Sequence, residues 1–177
     1  MWQSKFHKLS TWDVAYAVSM AVACLITYWI VVLLLPHVAG RPAAPVSVIW
    51  AVISAVFVYK NTRNLSLAAG LSRLFATLAS VVICLAYLSF LPATPLAMAI
   101  LIAIGTVLLA SLGRSDEIGP AAITTAVVMI VAADDPRSAW EQPLLRLADT
   151  VVGIVIGIAC KWIASSAFYK LSGQKVD

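Results

Sequence analysis

Arg146, Asp149 and Thr150 stand at i, i+3 and i+4 inside an otherwise apolar run, so a helix places them on one face, and Gly153 and Gly157 continue that stripe. A guanidinium in such a setting can donate charge-assisted hydrogen bonds to a carboxylate. An acid among apolar residues can take up and release a proton. Arg73, Thr77 and Ser80 repeat the stripe in weaker form, with Ala76 where the acid would be. The same residues also allow a structural reading, in which Arg146 reaches the outer interface paired with Asp149 and Arg73 reaches the opposite one. Gly153-x-x-x-Gly157 permits close backbone approach, either inside a bundle or against a second subunit.

Other polar residues carry less chemistry. Lys161 lies fifteen residues beyond Arg146, about 22 Å along a helix, and reads as an interfacial anchor. Asp13 suits helix-start electrostatics. Ser47, Ser54, Thr124 and Thr125 could line a path, or simply satisfy backbone carbonyls. His7 and His37 show no metal spacing, and Cys24, Cys84 and Cys160 are too few and too scattered for a disulfide framework or a metal site. With no nucleophile–base pair, phosphate loop or paired carboxylates, no enzyme, metal or cofactor is expected.

The elements that position these residues follow from composition. Hydrophobic residues make up 62% of the chain and charged residues 11%, against roughly 45–50% and about 25% in a soluble domain. Segments apolar on every side belong in a large protein core or a bilayer, and this chain is too short to supply the first. Runs at 14–35, 46–59, 71–91, 95–112, 118–133 and 144–168 give six transmembrane helices in one all-α polytopic membrane domain, 1–177. Pro36, Pro42, Pro45, Pro92, Pro95, Pro136 and Pro143 punctuate the proposed helix ends. The first run is longer than a signal-peptide core and is expected to stay as an anchor.

Orientation follows Lys and Arg placement. With six spans and the N-terminus inside, Lys5, Lys8, Lys60, Arg63, Arg73, Arg114, Lys161, Lys170 and Lys175 are cytoplasmic, while Arg41, Arg137 and Arg146 are outside. Making 46–59 and 118–133 re-entrant reverses that bias, so six spans with both termini inside are preferred, as in a bacterial inner-membrane protein. Trp12, Tyr16, Tyr59, Trp140, Trp162 and Tyr169 fall near span ends, where amphipathic rings sit. The net charge of +4 is scattered between apolar runs, so no nucleic-acid partner is expected. Membrane lipid is.

An internal repeat adds to this. Arg73-Leu74 and Thr77 recur, 73 residues on, as Arg146-Leu147 and Thr150, and the second run falls on most of the fifth. Two units of three spans, about 14–91 and 95–168, must be inverted relative to each other, a common transporter plan. The second and fifth runs, 14 and 16 residues long, rise only about 21–24 Å at 1.5 Å per residue. Their N-termini would then lie below the membrane surface, each a positive dipole end suited to an anion, unless they are simply shielded or the bilayer thins around them.

The run Arg146-Leu-Ala-Asp149-Thr150-Val-Val-Gly153-Ile-Val-Ile-Gly157, preceded by a short Pro-containing helix, resembles the hallmark segment of the fusaric acid resistance or aromatic acid exporter superfamily. That superfamily also holds the plant aluminium-activated malate channels. The resemblance covers most of the chain in layout and is sequence-specific around 144–158, more faintly at 71–80. It implies export or conduction of small organic anions such as aromatic carboxylates, with Arg73 and Arg146 at the basic motif positions and Thr77 and Thr150 beside them. Many relatives carry a second membrane unit or a cytosolic region, so a homodimer is the natural assembly for this chain. The alternative is a non-transporting scaffold or accessory subunit that assembles through the Gly153/Gly157 face.

Overall fold

A computed structural model describes residues 11–39 and 45–172, with side chains over 12–33 and 45–167. Expectations resting on Lys5, Lys8, His7, His37, Arg41, Pro42, Tyr169, Lys170 and Lys175 lie outside the described residues or side chains. The described residues form six α-helices and two short 3-10 turns: α1 Thr11–Ala39, α2 Pro45–Val58, α3 Arg63–Leu88, α4 Pro95–Ser111, α5 Ile118–Asp134 and α6 Glu141–Ser172. Pro45 and Pro95 open their helices, where a missing N–H costs nothing. Thr62 and Thr94 cap α3 and α4 by accepting from the Leu65 and Ala97 amides.

Three expectations need correction. α3 begins at Arg63, eight residues before the predicted start, because the polar turn Arg63-Asn64-Leu65-Ser66 is capped by Thr62 and continues into the apolar run. Pro36 falls within the last turn of α1, not beyond it. The fifth helix is not distinctively short: α4 and α5 both have 17 residues, and the 3-10 turn Ser115–Glu117 extends α5 into an apolar segment of 20. The two shorter apolar helices are α2 and α4, while α1, α3, Ser115–Asp134 and α6 are long and apolar enough to cross a membrane.

Named contacts fix the helix directions. Tyr16 of α1 hydrogen-bonds the Tyr59 carbonyl just past α2, while Val31 clusters with Val48 and Ala51, so α1 and α2 are antiparallel. α6 runs parallel to α2, since Arg146, Gly153 and Gly157 meet Val46, Ala51 and Ala55 in order. α3 is antiparallel to α6, with Arg63 on Ser166 and Gly70 on Ile154 and Ile158. Ser80 and Leu88 meet α5 at Ala121 and in the Val128–Met129 cluster, making α3 and α5 parallel. α4 crosses back along α5 from that cluster to Leu109 beside Ala121. The six helices therefore alternate in direction along the chain.

The contact scheme has a further regularity. Exchanging α1, α2 and α3 with α4, α5 and α6 turns α1–α2 into α4–α5, α2–α6 into α3–α5, α2–α3 into α5–α6 and α1–α6 into α3–α4, all of which are packed pairs. α3 and α6 form the central pair. The surface is apolar, as lipid requires: Val18, Leu25, Leu33, Ile104, Val107, Ile130, Val155 and Ile163 are all exposed.

Candidate polar site along the second helix

The interior between α2, α3 and α6 holds Arg73, Arg146 and Asp149. Arg73 and Arg146 are only 4% and 3% exposed, and Asp149, Thr77 and Thr150 are equally buried. Arg146 sits at the opening of α2, where Nη1 donates to the Val46 carbonyl at 3.1 Å and Nη2 reaches Ser47 Oγ at 3.5 Å. Its Nη1 also lies 3.2 Å from Asp149 Oδ2. A helix N-terminus repels a cation, and Asp149 supplies the offsetting charge. Arg146 Nε and Asp149 Oδ2 have no hydrogen-bond partner among the described residues, so the pair has unused donor and acceptor capacity.

Arg73 is differently placed. It lies ten residues into α3, about 15 Å from the helix start at 1.5 Å per residue. The helix starts eight residues before the apolar run, so Arg73 is farther from a helix end than the run suggested. Its guanidinium stands over the Trp50 ring at 5.5 Å and the Phe57 ring at 4.8 Å, both on α2. Nε and Nη2 are buried without an acceptor among the described residues. Ring quadrupoles attract a cation but carry no net charge, so Arg73 is a buried, uncompensated donor.

The remaining candidates divide clearly. Thr77 spends its hydroxyl on the Arg73 carbonyl at 2.9 Å, and Thr124 does the same with Pro120. Ser80 bonds the Ala121 carbonyl of α5 at 2.8 Å, tying α3 to α5. Gly153 and Gly157 face α2 within the chain: a Cβ at Gly153 would strike the Ala51 carbonyl oxygen and come within 2.8 Å of Ser54 Cβ, and one at Gly157 would lie 3.0 Å from the Ala55 oxygen. Of the two faces the glycines could have served, α2 takes the stripe, and no second subunit can use it. Lys161, read as an interfacial anchor, is 7% exposed and caged by the rings of Tyr16 and Tyr59 at 5.5 and 5.4 Å.

One feature of the opposite half escaped the motif reading. At the start of α5, Glu117 is buried and takes a 2.8 Å hydrogen bond from Arg114, which stacks over Phe75. Ala76, at the position matching Asp149, packs there with Leu109 and Ala121. The signal was present in the sequence, since Gly40-Arg41 recurs 73 residues on as Gly113-Arg114. Outside the spans, the Ser138 hydroxyl, with the backbone amides beside it, holds the Asp135 carboxyl below its ordinary value. Among the described residues no group of three or more His, Cys, Asp or Glu side chains could hold a metal ion.

Comparison with known protein families gives a match. The sequence profile of a family described as fusaric acid resistance protein-like aligns with residues 22–160, from within α1 to within α6. No curated protein and no solved structure matches the chain.

Proposed function

The chain belongs to the fusaric acid resistance protein-like family, and on that footing we propose that it is a membrane transporter or channel, exporting by preference, for small organic anions such as aromatic carboxylates. The observation that carries this reading is Arg73: a buried guanidinium ten residues into α3, bracketed by Trp50 and Phe57, with two nitrogens unpartnered among the described residues. An isolated charge there is costly unless a ligand or partner completes it. A planar aromatic carboxylate matches both halves of the bracket, since its carboxylate accepts from the guanidinium and its ring stacks on the aromatic faces. Arg146 and the start of α2 form the neighbouring step, with Asp149 releasing Arg146 to the anion by taking a proton.

The reading includes six spans in two inverted units, both termini cytoplasmic, in a bacterial inner membrane. Its supports are the alternating helix directions and the exchange regularity of the contact scheme. It also includes a homodimer, in which a second copy covers Ile49, Val56 and Phe57, exposed on α2 beside Arg73. No chemical step on the anion is part of it. The scaffold alternative loses its proposed surface, because α2 already fills the glycine stripe.

Proteoliposomes holding the purified chain test the proposal. Radiolabelled benzoate should cross faster than in protein-free vesicles, and Arg73→Gln and Arg146→Gln should abolish the difference while circular dichroism stays helical. Unchanged flux in both variants ends the proposal.

A further inference from the structure

α2 carries three buried cations in order along its length. Arg146 meets it at Val46 and Ser47, Arg73 at Trp50 and Phe57, and Lys161 at Tyr59, just past its end. The 14 residues of α2 rise about 21 Å, so neighbouring cations are on the order of 10 Å apart in depth. Asp149 offsets the first. The last is held by ring faces: Lys161 has no carboxylate within ion-pair distance among the described residues, and the nearby Arg63, on Ser166 and over Trp162, adds a further positive charge. Tyr16 fixes the cage by donating to the Tyr59 carbonyl at 2.6 Å, which holds the two rings around the ammonium.

We infer that Lys161, with Tyr16 and Tyr59, is a third binding position for a small carboxylate anion, at the end of α2 opposite Arg146. The inference rests on the transport reading above and adds the residue that receives the anion once it leaves Arg73. An anion at Arg73 is in low dielectric, where departure toward either surface is costly without another positive charge within reach. A row of weak sites, each able to take the anion from the last, is the general solution for moving an ion across a bilayer. Lys161 is placed for that hand-over and has an unmatched charge to offer.

The test uses the full chain in nanodiscs and proteoliposomes with benzoate as the probe. With ¹⁵N-lysine labelling, the Lys161 ammonium resonance, identified by its loss in Lys161→Arg, should shift saturably as benzoate is added. Lys161→Met should lower benzoate flux at least tenfold while Lys161→Arg keeps more than a third of it. A purely structural lysine would show no benzoate-dependent shift. An unshifted Lys161 resonance, or wild-type flux in Lys161→Met, overturns the inference. Absence of flux in the wild-type chain, with the Lys161 resonance still responding to benzoate, sinks the transport reading and leaves the binding position standing.

Discussion

Gly153 of α6 rests directly on the carbonyl of Ala51 in α2, leaving no room for even a methyl group. The obstacle is backbone, which cannot rotate away, so overpacking here must push two helices apart. Gly153→Ala should cost about 1–3 kcal/mol and Gly157→Ala less, because its nearest contact is 3.0 Å. Thermal unfolding in detergent checks the order of the two.

The Arg146–Asp149 pair gives a second expectation. Both groups are buried, so removing either partner leaves the other uncompensated, at a cost of about 3–5 kcal/mol. Arg146→Met and Asp149→Leu should each destabilise the protein strongly, and the double variant should recover much of the loss. A double-mutant cycle with additive losses would show that the two groups do not depend on each other.

Helix direction can be read from outside. On a cysteine-free background, single cysteines at Asn61 and Ser115 should label from one side of the membrane with an impermeant maleimide, and those at Ala93 and Ser138 from the other. Labelling of Asn61 and Ala93 from the same side would remove the crossing assigned to α3.

Asp135 offers a pH measurement free of membrane burial. Its carboxyl titrates below the usual range because Ser138 donates to it first of all, helped by the neighbouring amides and Arg137. A lowered folded value means that this contribution to stability is present above the unfolded carboxylate value and is lost as pH falls through the folded one. Ser138→Ala should therefore move the Asp135 midpoint upward, as followed by ¹³C carboxyl NMR.

The sequence showed six helices because apolar runs and prolines mark spans well. It misplaced the start of α3 because a polar first turn capped by Thr62 does not register as apolar, and that set Arg73 near a helix end instead of ten residues in. Spacing correctly placed Arg146, Asp149 and Gly153 together on one face. It could not say that the neighbour would be α2, since periodicity describes one helix and not its company. The ring cage of Lys161 was hidden for the same reason: it comes from Tyr16 and Tyr59, far away in sequence. Glu117 was not singled out, although the Gly-Arg pair before it repeats.

Where glycine lets two backbones touch, as α6 does along α2, neither helix can slide without its side chains colliding with the other's main chain. α5 meets α6 over a much narrower contact. Any breathing of the bundle should therefore be lopsided: α2 and α6 hold together with α1 and α3 packed on them, and the narrow α5–α6 seam is where the bundle gives most readily.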